Sequence, residues 1–414
     1  MDKSTLNKII NMPGYLVEKV LKFTDYEMHL LMRPKKNMVA ICSHCGQPHT
    51  KGFHSMDTVL AEDQSISGRR VFLHIQKRKH RCPKDGKVHV EHTPWLKLFS
   101  RITNRFAKQI NRLTAITTNQ EAGWYLGLDD EVVYRIDKCC LEEQAEEKLN
   151  PIPAATHISV DEVSYQKYHK YLTNVIDTEK KLVVWNAKGR KSEILNKYYE
   201  DIGNDNCKKV KSVALDGART YISSTTKYAV NALIVLDRFH IAQKLNNTVD
   251  TVRKNELQKA RKNDENDLIN RLHPKHRFIL LKNKNKLSEK QNYYLEQLCE
   301  INKSIFKAML LKEEFLQIYT MGNDVKKIKK HLENWLVAAA SSGLESFESL
   351  ATSFGSKIQY ILNWFKRKIS SAISEGFNNK IKRLKRMAYG YKDIDYFRLK
   401  IHQHCGLLNP RIAT

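Results

Sequence analysis

A change of rhythm at residue 241 constrains this chain more than any other feature of its sequence. From 157 onward apolar residues alternate or run in blocks of strand length, whereas 241–368 holds no comparable block. HISVDEVSY (157–165), YHKYLTNVID (168–177) and KKLVVWNAKG (180–189) predict three strands with tight connections, one of them at Asp177-Thr178-Glu179. SEILNKYYEDIG (192–203) has the spacing of an amphipathic helix, and KVKSVALDG (209–217) is a fourth strand. A helix over about 219–229 leads to a fifth strand, ALIVLDRFH (232–240). The order βββαβαβ predicts an α/β sheet in which three antiparallel strands lead a partly parallel one. Lys-rich segments such as YYLEQLCEINKSIFKAMLLKEEFLQIY (293–319) then predict a long all-helical block. One more helix lies in ISSAISEGFNNKIKRLKRMAYGY (369–391), where Ile373, Phe377, Ile381, Leu384 and Ala388 form a single stripe.

The first 150 residues follow other rules. YLVEKVLKFTDYEMHLLMR (15–33) predicts two strands around a turn at Thr24-Asp25. ICSHCGQPH (41–49) is a CxxC knuckle, followed by a polar stretch and by RRVFLHIQKRKHRC (69–82), a strand ending at Cys82. That is the layout of a small zinc-ribbon-like module over 1–98. The eight cysteines are otherwise dispersed, which suits a reducing compartment rather than a disulfide framework. Residues 102–138 have helical apolar spacing broken at Thr117-Thr118-Asn119 and at Gly127. At least two short helices joined by a turn are expected there, suited to a helix-turn-helix over 99–150. Pro151 and Pro153 mark a boundary.

Charge narrows the partners. Lys and Arg number 71 against 45 Asp and Glu, a formal net charge of +26, so the chain attracts polyanions such as DNA or RNA. A membrane partner is disfavoured because no apolar run approaches the roughly 20 residues of a spanning helix. The opening MDKSTLNKIINM lacks the apolar segment of a secretory signal, so a cytoplasmic protein is expected.

Asp161 lies in the first strand and Asp216 at the end of the fourth, two strands that can be neighbours in this topology. Glu375 stands near the start of the late helix. Sequence-distant carboxylates converging on a sheet edge suit Mg²⁺, which takes hard oxygen ligands. Each acid alone reads as a turn, cap or helix-dipole residue. Spacing does not choose between Asp161 and Glu162. Asp237, at the end of the fifth strand, ranks below Asp216 because an edge strand lies farther from the first. Asn379, Lys382 and Arg386 share the helix face of Glu375 and suit a passing phosphate backbone.

ALIVLDRFHIAQKL (232–245) and SEGFNNKIKRLKRMAYGYKDIDYFRLKI (374–401) resemble the signatures of the ISL-three family of bacterial insertion-sequence transposases. The likeness extends along nearly the whole chain. It implies an RNase H-like DDE core over 151–245 and 356–414, interrupted by an all-α insertion at 246–355. The catalytic acids it implies are Asp161 in ISVDEV, Asp216 in VALDGARTY and Glu375 in SEGFNNKIK, holding two Mg²⁺ ions for which Mn²⁺ can substitute. It gives Asp237 and His240 of DRFH a place beside that site. The partners it implies are the terminal inverted repeats and target DNA, held by a dimer or larger assembly. The chain departs from the family at the second knuckle, Cys82-Pro83-Lys84-Asp85, where the fourth cysteine is Asp85. Cys42, Cys45 and Cys82 then need a histidine to complete a Zn²⁺ site; His80, His89 and His92 are available, and His89 is the candidate carried forward. Two other functions stay open: a transposase-derived DNA-binding regulator without catalysis, and an RNase H-like nuclease.

Overall fold

The computed structural model describes residues 2–96, 101–166, 170–367 and 372–411. Two compact units divide the chain, Met1–Glu147 with Leu408–Thr414, and Lys148–Leu407, a break close to Pro151.

The first unit opens with α1 (Lys3–Ile10), capped by the Asp2 carboxylate, which accepts from the Thr5 N–H at 2.6 Å. β1 (Tyr15–Phe23) and β2 (Glu27–Pro34) form the expected hairpin. β3 (Ala40–Ile41) and β4 (Pro48–His49) flank the first knuckle. β5 (Phe53–Ile66) and β6 (Arg69–Arg81) make a long hairpin, turning at Ser67 and Gly68 with φ of 50° and 77°. β7 (Val88–Val90) pairs with β6, and the sheet runs β1-β2-β6-β5. β5 is the stretch that reads as polar in the sequence. From Phe53 to Leu60 its side chains are exposed or half-buried, so no apolar alternation betrays it; backbone pairing along β6 makes it a strand. Leu30, Met32, Val71, Leu73 and Ile75 form the core under α1.

Three helices complete this unit: α2 (Asn104–Thr114), α3 (Asn119–Leu126) and α4 (Asp130–Lys148). Their breaks fall at the anticipated residues. Thr118 and Glu121 form a capping box at the start of α3, and Gly127 ends it with φ 69°. Phe106, Ile110, Ala122 and Val133 join the three.

The second unit is built on β8 (His157–Gln166), β9 (Lys170–Asp177) and β10 (Leu182–Lys188). α5 (Ser192–Ile202), α6 (Asn204–Lys209), β11 (Ser212–Leu215), α7 (Arg219–Tyr228) and β12 (Leu233–Leu236) follow. The sheet order is β10-β9-β8-β11-β12, with β8, β9 and β10 antiparallel and β11 and β12 parallel to β8. The fifth strand is shorter than its apolar run. Asp237 accepts from the Phe239 N–H at 2.8 Å and starts α8 (Arg238–Lys262), so DRFH belongs to a helix.

The expected helical block continues through α9 (Asn266–Arg271), α10 (Arg277–Leu281), α11 (Glu289–Ile301), α12 (Lys303–Gln317), α13 (Val325–Ala340), α14 (Glu345–Gly355) and α15 (Ile358–Lys366). Phe315, Trp335 and Phe354 centre one apolar core that runs from Leu236 to Phe365. α15 returns to the sheet edge, where the Asn363 amide donates to the Ile234 carbonyl at 2.8 Å. α16 (Ala372–Met387) and α17 (Ile394–Cys405) then cover one sheet face, on Val163, Leu172, Ile176 and Val183. The opposite face packs Ile158, Val160, Val175 and Val184 against α5 and α7.

Candidate functional site

Register places the aspartates. β11 pairs with β8 as Ser212 with His157, Val213 with Ile158 and Ala214 with Ser159, an offset of 55 residues. The same offset relates Asp216 to Asp161, but the ladder stops at Ala214 and Ser159 and Asp216 lies one residue beyond β11, where its charge acts on Glu162, the neighbour of Asp161. β12 continues the sheet. Leu215 pairs with Leu236, and the next residues along are Asp216 and Asp237. The turn beyond Asp216 is tight: its carboxylate accepts from the Ala218 N–H at 2.8 Å. Gly217 there has φ +88°, and a Cβ would stand 3.2 Å from the Leu236 side chain.

α16 lies across β8. Ser159, Asp161 and Val163 point to one face of β8 by alternation. The Ser374 and Ser159 hydroxyls are 2.6 Å apart, and the Asn378 amide donates to Asp161 Oδ2 at 2.6 Å. Ile381, one turn on, packs with Val163. Glu375 lies between Ser374 and Asn378 on the exposed side of the helix, and Asn379, Lys382 and Arg386 are exposed with it. No bond from Glu375 to the aspartates occurs among the described residues. His240 Nε2 sits between two carboxylates, 4.0 Å from Asp161 Oδ1 and 3.9 Å from Asp237 Oδ2. Asp237 therefore reaches the surroundings of Asp161 although its strand is at the sheet edge, because α8 begins there and folds His240 inward.

Electrostatics separates the acids. Burial raises the Asp161 carboxyl above the ordinary range; His240 and the Asn378 amide oppose the rise, and the Asp237 charge adds to it. Glu162, on the opposite face, is also raised by burial; the Tyr221 hydroxyl that donates to it at 2.6 Å opposes this, and the Asp216 charge adds to the rise. Lys244 donates to the Asp216 carbonyl at 3.1 Å. Burial depresses the nearby Lys357 amine, with Lys244 and Arg219 adding to the effect and Asp216 countering it.

The knuckles are a second, separate site. Gly46 N–H donates to the Cys42 carbonyl at 3.0 Å and Gly86 N–H to the Cys82 carbonyl at 2.8 Å, so each cysteine opens the same kind of turn. Cys42, Cys45, His49 and Cys82 each offer a ligand atom, all within 4.8 Å of one another. The β3–β4 ladder pairs His49 with Ala40 and so returns its ring to Cys42. Cys45 Sγ is 3.3 Å from His49 Nε2, and His49 Nδ1 is buried without a partner. Three thiols and an imidazole are a donor set that fits Zn²⁺. His89, the histidine expected here, lies elsewhere: its Nε2 is 2.7 Å from Asp85 Oδ2, and its ring stacks on His44.

A family model described as a transposase of the ISL3 type matches residues 158–401. This chain belongs to the ISL3 (ISL-three) family of transposases. A second model, the zinc-finger of transposase IS204/IS1001/IS1096/IS1165, matches residues 39–85 of this ISL3 chain. The chain is 26% identical over 404 residues to the transposase for insertion sequence element IS1001 of Bordetella parapertussis, covering 97% of this chain and 98% of that protein. It is 22% identical over 393 residues to the transposase for insertion sequence element IS1557 of Mycobacterium tuberculosis, strains CDC 1551 / Oshkosh and H37Rv, covering 87% of this chain and 84% of those proteins. Among the described residues no helix is long and apolar enough to cross a membrane.

Of the residues singled out in the sequence, the ISL3 fold gathers Asp161, Asp237 and His240, puts Asp216 just past the end of the neighbouring strand β11, and brings the helix of Glu375 onto β8. Asn378 and His49 escaped sequence reasoning. Asn378 sits beside Asn379 in SEGFNNKIK, and only the packing of α16 distinguishes the two amides. His49 lies four residues after Cys45 in ICSHCGQPH, close enough to have been weighed with the more distant histidines.

Proposed function

We propose that this chain is a DDE transposase that binds the terminal inverted repeats of its insertion sequence, cleaves there, and joins the freed end to target DNA. The observation that carries the reading is the seat of α16 on β8, with Asn378 on Asp161 and Glu375 one turn away at the exposed rim. The strand order β10-β9-β8-β11-β12 supports an RNase H-like core, and the aspartates with Glu375 supply an all-oxygen donor set suited to Mg²⁺ or Mn²⁺. Asp161, Asp216 and Glu375 would hold two such ions, which when bound activate the attacking oxygen and stabilise the leaving one. Asn378 fixes the rotamer of Asp161 through one carboxylate oxygen. His240 stands between Asp161 and Asp237 and keeps their carboxylates apart. Lys382 and Arg386 extend from the Glu375 face and steer the phosphate backbone toward the acids. Cys42, Cys45, His49 and Cys82 would hold Zn²⁺ as a structural ion, and α2–α4 would act as the helix-turn-helix that reads the repeat. Two ends must be held together, so a dimer or larger assembly on DNA is expected.

Purified protein, Mg²⁺ and DNA carrying the flanking repeat test the reading. The expected products are nicks exposing a 3′-hydroxyl at the element end, followed by joined molecules. Nicks without joining indicate a hydrolase, and binding without nicks indicates a regulator; either result refutes the proposal.

A further inference from the structure

Beside the cysteine cluster stands a second group of metal-ligating side chains. His44, Asp85 and His89 each offer one atom within 4.8 Å of the others. His44 Nε2 is 3.5 Å and His89 Nε2 2.7 Å from the same oxygen, Asp85 Oδ2. The two rings lie nearly parallel, 9° apart with centroids at 4.6 Å. Both imidazoles therefore aim the same nitrogen at one carboxylate oxygen. Three donor atoms, one from each knuckle turn and one from β7, therefore meet round one point. A metal ion at that point satisfies all three groups at once.

The backbone holds these ligands in place. His44 is inside the turn closed by Gly46, Asp85 is inside the turn closed by Gly86, and His89 lies on β7, paired with His80 of β6. The other carboxylate oxygen, Asp85 Oδ1, accepts from the Lys87 N–H at 3.0 Å, which orients Oδ2 outward. The knuckle turns are equivalent, so Asp85 occupies the position that Cys45 occupies in the first. With His49 among the thiols, Asp85 is free for a different partner.

We propose that His44, Asp85 and His89 form a second metal site, open to solvent, that takes a first-row divalent cation such as Zn²⁺, Co²⁺ or Ni²⁺. Two imidazoles and a carboxylate suit these ions, and the remaining coordination positions stay open to water or a phosphate oxygen. The ion would tie the first knuckle to the second from outside, independently of the thiolates.

The full chain, saturated with Zn²⁺ and freed of excess by gel filtration, is analysed for zinc per chain. With Asp161→Asn and Asp216→Asn in both proteins to disable the acid site, two ions are expected without the histidine changes. The double variant His44→Gln, His89→Gln is expected to hold one, while its Co²⁺ form keeps the strong thiolate-to-cobalt absorption of the cysteine site. Retention of that absorption also reports that the knuckles remain folded. Saturation at one zinc with His44 and His89 intact, or a double variant that still holds two, overturns the proposal. So does loss of the thiolate absorption in the double variant, which would return His89 to the cysteine cluster.

Discussion

Cys42, Cys45 and His49 reach a common point through one turn and a short ladder, whereas Asp161 and Asp237 approach His240 only because β8, β11 and β12 pair in register. The first arrangement is local and depends little on the rest of the fold. The second is a property of the whole sheet: a slip of one residue in β11 would send Asp216 to the opposite face. One site is therefore vulnerable to loss of a ligand, and the other to loss of register or of the helix that covers it.

The largest expected effect separates chemistry from stability at the sheet site. Asp161→Asn should lower cleavage of element-end DNA by about 10³-fold or more, the scale of losing a group that stabilises charge in the transition state. Its thermal midpoint should not fall. The folded-state pKa of Asp161 is raised, so the stability it contributes is present at low pH and lost as pH rises through its titration. Whenever Asp161 is ionised the wild type bears a buried charge, which the amide removes. An amide flip of Asn378, whose Oδ1 is buried without a partner, lets it accept from the new Asn side chain. A rise of about 2–4 °C in calorimetry is expected, for about 1 kcal/mol regained. A drop of several degrees would show that Asp161 is needed for the fold.

Cys42→Ser should do the reverse at the knuckles. Zinc loss is expected to destabilise the first unit by several kcal/mol, on the order of a structural metal site's contribution, while the second unit melts as before. Parallel loss of both transitions would contradict the independence of the two sites. Asn378→Ala should reduce turnover by about 10–100-fold, as for residues that orient metal ligands, with DNA affinity unchanged. An equal loss in binding would reassign Asn378 to the DNA interface.

The smallest effect concerns pH. His402 is buried on α17, and burial depresses its pKa to about 4 from 6.5, with Arg398 adding to the fall. A depressed histidine supplies stability above pH 6.5 that is lost as pH falls toward 4, because the unfolded chain takes up the proton first. His157, also depressed by burial, acts in the same direction. His402→Leu should flatten the acid arm of the second unit's stability curve, read by urea midpoints between pH 7 and 4. An unchanged slope would assign the acid sensitivity to His157.

Legibility in the sequence follows the same division. The strands of the second unit were readable because buried strands are apolar runs, and the breaks at Thr118 and Gly127 because caps have residue preferences. β5 was not, since its exposed pairing on β6 leaves no apolar trace. Asp161 and Asp216 could be named, but the pairing of β8 with β11 that brings their strands side by side depends on register, which no local pattern encodes. The place of Asp237 depends on α8 starting at that residue, and the apolar run of β12 hid the switch from strand to helix. The choice of His49 over His89 turns on which ring a two-residue ladder returns to Cys42, a geometry invisible in spacing alone.

Cysteine substitutions at Asp161 and Glu375, each assayed on repeat-bearing DNA in Mg²⁺ and in Mn²⁺, probe metal coordination most directly. Mn²⁺ accepts a softer ligand than Mg²⁺ does, so each variant should be inactive in Mg²⁺ and regain cleavage in Mn²⁺. Wild-type activity of Glu375→Cys in Mg²⁺, or silence of both variants in either metal while they bind DNA normally, would contradict the account.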